Sequence, residues 1–338
     1  MLPVTSSLYL DREELKGLVA GYVDDESGYL CRQIPAINQG MPLAVTGESY
    51  GGYYWSLSAD TFFAQNGKTE EVLWGQQYPR LDNGKLEHHP FYTKKFAKSV
   101  LVPKEALNIP PIAQLDSVGQ FLLQLRSVVR GQAEKLFVDK ITTSANWGSN
   151  VSAGPHSWSS TGDPVADINA AIEAVSTYAD PDTIILGKKA FLALLANDNW
   201  NKTRPLTEDR ATSLEGMAPD QLAFLREMIA KRFGLKNCYF ATARWNASAT
   251  KATTTIANQF GDNCWVGRIG EFRSIDAVAR DGGYQISPRA LFKCEANDIE
   301  FEEEEHLGNI ELGAAYHVGI EIVDNKLGYL IQKCASTT

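Results

Sequence analysis

Residues 115–141 read LDSVGQFLLQLRSVVRGQAEKLFVDKI. Leu115, Val118, Phe121, Leu122, Leu125, Val128, Val129, Leu136, Phe137 and Ile141 follow the 3.6-residue period of a helix with one buried stripe. Pro110 and Pro111 precede the run, and Asp116 or Ser117 is placed to cap it. At about 1.5 Å per residue this helix spans roughly 40 Å. That is long for a small domain and suits a structural spine.

Upstream, residues 39–99 hold two extended runs. Tyr53-Tyr54-Trp55-Ser56-Leu57-Ser58 has the aromatic content of a strand. Residues 91–102 form the second run, studded with Lys94, Lys95 and Lys98 as an exposed edge would be. Turn signals, Gln65-Asn66-Gly67-Lys68 and Asp82-Asn83-Gly84-Lys85, lie between them. The pattern predicts a long two-stranded excursion. A lone ribbon is marginal in water, so it needs a neighbouring subunit to lie on. Residues 1–38 carry little apolar content and read as an arm that packs on something else. Asp11 to Lys16 opens a short helix there, and Ile34 before Pro35 is extended.

Downstream, residues 144–163 are rich in Ser, Gly and Asn and read as a loop and domain crossing that carries Trp147 and Trp158. Residues 163–290 alternate helix and strand. Asp163-Pro164 caps and starts a helix through Val165, Ile168, Ile172 and Val175. Residues 183–187 are a short apolar strand, and 188–196 a helix. Residues 219–233 form another helix, with Leu222, Leu225, Ile229 and Phe233 on one face and Gly234 as its stop. Residues 238–242 are the next strand. This is a compact α/β unit. In the tail, Ile310, Leu312, Ala314, Tyr316, Val318, Ile320 and Ile322 alternate with Glu311, His317, Gly319 and Glu321, the pattern of a sheet with one wet face. Residues 327–333 form the last strand.

The 338 residues are 44% hydrophobic, enough for about two domains. No apolar run approaches the roughly 20 residues that span a bilayer, and no signal peptide precedes the fold. The net charge of −9 argues against tight nucleic-acid binding, which rests on Lys and Arg at phosphates. Cys31, Cys238, Cys264, Cys294 and Cys334 are odd in number and lack metal-type spacing. They read as buried free thiols of a reducing cytoplasm.

Chemistry-bearing motifs are scarce. Leu186-Gly187-Lys188-Lys189 lacks the glycine and hydroxyl residue of a phosphate loop, and no G-x-S-x-G turn occurs. His88-His89 reads as a solvated loop tip. Glu300-Phe301-Glu302-Glu303-Glu304-Glu305-His306 reads as a solvated, self-repelling loop or an interface for a basic partner. A metal-dependent enzyme using Glu302 to Glu305 and His306 is the competing reading of that run. Arg126, Arg130, Lys135 and Lys140 interleave with Glu134 and Asp139, which points to surface ion pairs, with a weak inward DNA contact as the sharper alternative. Three glycosylation-type triplets, at Asn150, Asn201 and Asn246, read as chance matches. No catalytic residue, cofactor site or metal-ligand set is assigned.

The order of elements resembles the Hong Kong 97-type capsid fold of tailed phages. Tyr92-Thr-Lys-Lys-Phe-Ala-Lys-Ser-Val-Leu-Val-Pro-Lys-Glu-Ala is similar to the strand that leads into that family's spine helix. Trp158, followed by Asp163-Pro164-Val-Ala-Asp167-Ile168, resembles the start of its axial domain. Ala179-Asp-Pro-Asp-Thr-Ile-Ile-Leu-Gly187 before a Lys-Lys-Ala-Phe helix is similar to a recurring piece of that domain. Phe240-Ala-Thr-Ala-Arg-Trp-Asn246, then Cys264-Trp265-Val266 after a loop, fits as well.

The resemblance implies an α+β capsid fold. Its parts are an N-terminal arm (1–38), an extended β-hairpin loop (39–99), a peripheral domain with the spine helix (100–160 and 291–338) and an α/β axial domain (161–290). It implies a major capsid protein, not an enzyme, that self-assembles through hexamers and pentamers into the icosahedral head enclosing the phage genome. Tyr53, Tyr54, Trp55, Phe62 and Phe63 are then the candidates for intersubunit contact. Implied partners are other copies of the chain, a separate scaffolding protein or none, portal and decoration proteins, and packaged DNA in weak, non-specific contact. The implied location is the virion, assembled in the bacterial host cytoplasm, with no membrane and no cofactor. Some members of the family cross-link Lys to Asn; Lys68 and Lys85 lie in the loop, but no cross-link is predicted. An encapsulin-like nanocompartment shell is the competing reading within the same fold.

Overall fold

The computed structural model describes residues 29–34, 51–56, 87–103, 111–202, 219–246, 256–270, 290–295, 300–306 and 309–335. The first described elements are α1 (Leu30–Gln33), β1 (Gly51–Ser56), β2 (Glu87–Tyr92), β3 (Lys94–Pro103) and the spine helix α2 (Pro111–Thr142). Then follow β4 (Val151–Ser152), α3 (Pro164–Ser176), β5 (Thr183–Gly187), α4 (Lys188–Ala196), α5 (Asp198–Lys202) and α6 (Pro219–Arg232). The remaining strands are β6 (Asn237–Ala241), β7 (Arg244–Asn246), β8 (Ile256–Asn258), β9 (Cys264–Gly267), β10 (Leu291–Glu295), β11 (Glu300–His306), β12 (Asn309–Ile322) and β13 (Gly328–Ile331).

A five-stranded mixed sheet in the order β4-β13-β9-β5-β6 divides the interior. Side chains alternate across a strand, and here both faces meet a core. Ile184 and Leu186 of β5 join Trp158, Ile168, Phe191 and Trp200 on one face. Ile185, between them, joins Phe137, Trp147 and Trp265 on the other. Strand β9 alternates the same way, with Cys264 and Val266 on the first face and Trp265 on the second. This is why residues 183–187 read as a nearly continuous apolar run: every one of them is buried. The sheet draws on residues 151–152, 183–267 and 328–331, and so on segments assigned from sequence to different domains.

A second sheet centres on β12. Strand β3 pairs along one edge, while β11 and β10 pair end to end along the other. Val318 shows this, with Lys94 opposite it on one side and Glu295 on the other. The inner face of β12 presents Leu312, Ala314, Tyr316, Val318 and Ile320 to the same core as the spine helix. His317, assigned from the alternation to the wet face, is buried, and desolvation pulls its pKa down.

Helix α2 starts at Pro111, earlier than the caps predicted, since proline is tolerated at a first helical position that needs no N–H bond. Its 32 residues span roughly 48 Å. Leu122, Leu125, Val129, Ala133, Phe137, Val138 and Ile141 form the buried stripe. Val128 leaves it and stands 55% exposed. Val128 lies about 100° round the helix from Val129 and falls outside the stripe at this level.

The crossing after α2 carries one tryptophan into each core. Trp147 packs in the spine core and donates its indole N–H to Ile141 O at 2.6 Å, using an orphan carbonyl of the helix end. Its ring lies 5.6 Å from that of Trp265. Trp158 enters the opposite core. Helix α3 begins as its sequence predicts, with Asp163 Oδ1 accepting from the N–H groups of Val165 and Ala166.

The glutamate run is a strand, not a loop. Pairing with β12 holds it extended, with Phe301 buried and Glu302 and Glu304 exposed. His88 and His89 also lie in a strand rather than at a loop tip.

A test of this architecture is Gly187→Ala. The added Cβ would sit 2.4 Å from Gly261 O, a backbone atom that cannot rotate away. The variant should lose about 1–3 kcal/mol in urea unfolding of the unassembled subunit.

Candidate functional site

The aromatic contact candidates fall on a two-stranded ribbon. Tyr53, Tyr54 and Trp55 lie on β1, opposite Pro90, His89 and His88 of β2. Only Thr93 separates β2 from β3. The ribbon is therefore an extension of the edge strand of the β12 sheet, and that continuity positions it. Tyr92, beside the junction, is 65% exposed, and Leu101, near the far end of β3, is 52% exposed. Phe62 and Phe63 lie outside the described residues.

The described part of the arm is locked onto its own subunit. Tyr29 precedes α1 and offers no side-chain cap. Glu134 of the spine helix does that work instead: Leu30 N–H donates to Oε1 at 2.8 Å and Cys31 N–H to Oε2 at 2.9 Å. A carboxylate facing a helix N-terminus makes short, charge-assisted bonds. Gln33 extends the lock, donating from Nε2 to Phe240 O at 3.1 Å and accepting from Arg226 Nη2 at 3.3 Å. The Arg226 guanidinium also lies 5.1 Å over the Phe240 ring. Leu30, Cys31 and Ile34 are buried.

Sequence reasoning assigned Glu134 to surface ion pairs, yet it is fully buried. Its position carried a signal, because it lies three residues before Phe137 and four before Val138, on the buried stripe.

Basic groups of the spine are engaged within the subunit. Lys140 Nζ lies 3.8 Å from Glu321, and Lys135 Nζ sits 4.0 Å over the Trp245 ring of the β7–β8 hairpin. On the open face of the β12 sheet, Lys95, Lys98, Glu302, Glu304 and Glu311 line a shallow groove of about 270 Å³. Among the described residues no group of His, Cys, Asp or Glu is arranged to hold a metal ion, and no helix is long and apolar enough to cross a membrane. Cys31, Cys238, Cys264 and Cys334 are free and buried. Desolvation pushes the thiols of Cys238, Cys264 and Cys334 well above the ordinary cysteine range.

The architecture has counterparts among solved structures. A phage-related protein of Bordetella bronchiseptica superposes with a TM-score of 0.62 at 16% identity, covering 96% of this chain and 97% of that one. A virus-like particle from Pyrococcus furiosus gives 0.50 at 12% identity, over 95% and 98%. The chain shares its overall fold with these two proteins. The capsid of the cyanophage P-SCSP1u is also similar, with a TM-score of 0.49, 11% identity and 84% of each chain covered. No protein-family model matches the sequence, and no curated protein matches it.

The Glu134 contact should matter to the stability of the folded chain. Glu134→Ala leaves two buried N–H donors without their acceptor and should cost about 2–4 kcal/mol in urea unfolding. Glu134→Gln keeps one acceptor oxygen and should fall between. Limited proteolysis should then cut within residues 29–34, a site protected in the parent.

The raised thiols give a pH dependence. A folded-state pKa above the unfolded value of about 8.5 contributes stability that is complete below that pH and is lost as pH rises through it. The urea midpoint should fall between pH 8 and pH 10, and Cys334→Ala should blunt the fall.

Proposed function

We propose that this chain is the major capsid protein of a tailed phage. Pentamers and hexamers of the subunit close an icosahedral head around the genome. The observation that carries this reading is a fold match over 96% of the chain to a phage-related protein. The β1–β2 ribbon supports it, since among the described residues its sheet holds two strands and a lone ribbon gains little in water. Laying it across a neighbour would bury Tyr53, Tyr54, Trp55, Phe62 and Phe63 in an obligate interface, a class that covers about 2,000–5,000 Å². Closed symmetry repeats that one interface around the shell.

In this reading residues 1–38 are the arm, 39–99 the extended loop, 100–160 with 291–338 the peripheral domain, and 161–290 the axial domain. The subunit meets copies of itself first. Scaffolding, portal and decoration proteins are further partners. The acidic balance leaves DNA held by confinement, with weak contacts only. The mature location is the virion, after assembly in the bacterial cytoplasm. A second reading, a nanocompartment shell around a protein cargo, shares the fold; the likeness to the Pyrococcus furiosus virus-like particle favours it.

Negative-stain microscopy of the expressed protein, with scaffolding protein supplied where needed, should show closed shells of uniform size. Packaged DNA in particles from infected or induced cells supports the phage head, whereas a bound enzyme supports the nanocompartment. Trp55→Asp should abolish shells while the circular dichroism of the subunit stays unchanged. A protein that remains monomeric under all these conditions would overturn both readings.

A further inference from the structure

Strand β4 ends at Ser152 on the outer edge of the five-stranded sheet. It is fixed there by Leu330 N–H to Asn150 O at 3.0 Å and Gln332 N–H to Ser152 O at 2.8 Å. The chain then doubles back. His156 N–H donates to Lys333 O at 3.2 Å, and Trp158 N–H to Cys334 O at 2.9 Å. This return places His156 Nε2 2.9 Å from Ser152 Oγ. The other ring nitrogen, Nδ1, lies 2.9 Å from Asp167 Oδ2. Asp167 stands in the first turn of α3, and Trp158 Nε1 donates to the same oxygen at 2.7 Å. A hydroxyl, an imidazole and a carboxylate thus stand in series, each nitrogen facing the partner that a nucleophilic relay requires.

We propose that Ser152, His156 and Asp167 form a serine nucleophile that hydrolyses small carboxylic esters at the subunit surface. An ionised carboxylate only accepts, so Asp167 selects the tautomer with the proton on Nδ1. Nε2 then keeps its lone pair for the Ser152 proton. The site is reachable: the His156 and Asp167 side chains are 14% and 28% exposed, and Ala153, Gly154 and Pro155 are exposed. A Cβ at Gly154 would meet nothing within 4 Å, which leaves open space at that turn of the loop. The N–H groups of Ala153 and Gly154 donate no hydrogen bond among the described residues. The N–H after a nucleophile is a common donor to the oxyanion.

In the reaction Oγ bonds to the ester carbonyl carbon as Nε2 takes its proton. The carbon–alkoxide bond breaks, and the alcohol leaves with that proton. Water, deprotonated by Nε2, then releases the acid and restores Ser152. The assignment is independent of shell formation, so it can fail while the capsid reading stands.

The test is a fluorophosphonate probe on the full-length chain, read by intact mass and peptide mapping, alongside p-nitrophenyl acetate turnover. One adduct per chain on Ser152 is expected. Ser152→Ala should remove it, and His156→Gln or Asp167→Asn should slow labelling by about 100-fold or more. Ser160→Ala, an exposed serine of the same loop, should leave labelling unchanged. Thermal melts identify any variant that fails to fold. For that case Ser152→Cys is the second probe: iodoacetamide should alkylate the new thiol rapidly at neutral pH, because the neighbouring imidazole favours thiolate. A folded parent that takes no adduct, an adduct that survives Ser152→Ala, or slow alkylation of the thiol would each overturn the assignment and leave a purely structural network.

Discussion

The fold depends on a sheet that must be apolar on both faces. Strands β5, β9, β13 and β6 send alternate side chains into two separate cores, one under the spine helix and one among α3, α4 and α6. Residues 183–187 are accordingly buried throughout, with Thr183 the one hydroxyl among them. At roughly 25 cal/mol per Å² of apolar surface buried, two-sided burial makes these strands strongly stabilising. It also makes them the least tolerant: at Gly187 and Gly328 an added Cβ would collide with the backbone of Gly261 and the ring of Trp147.

Around that wall, long-range polar contacts fix what apolar packing leaves undetermined. Glu134 captures the arm through two backbone N–H groups more than a hundred residues away. Asn197 joins the crossing loop to the helices beyond it, donating to Trp158 O and Gly162 O while accepting from the N–H groups of Asn199 and Trp200. Such buried groups are satisfied from both sides, so they specify one arrangement rather than adding large net stability. These contacts fix the body from which the ribbon extends at its edge.

The ribbon is the counterpart of that rigidity. Its strand β2 passes into β3 across a single residue, so its base belongs to the β12 sheet. Exposed apolar side chains, Tyr92 and Leu101, mark the same edge. A projection of this kind gains by being covered.

Local pattern sufficed for the long helix, the capped start of α3, the buried strand at 183–187 and the alternation of β12, because each is set by the spacing of apolar residues within one segment. Other features were closed to local reading. The glutamate run is a strand because β12 supplies its hydrogen bonds, Glu134 is buried because α1 supplies its donors, and Ser152, His156 and Asp167 meet because the tail strand β13 pins the loop between them. Spacing along the chain determines which face a residue joins. Only the closed tertiary structure determines what that face meets, since the deciding partner lies far away in sequence.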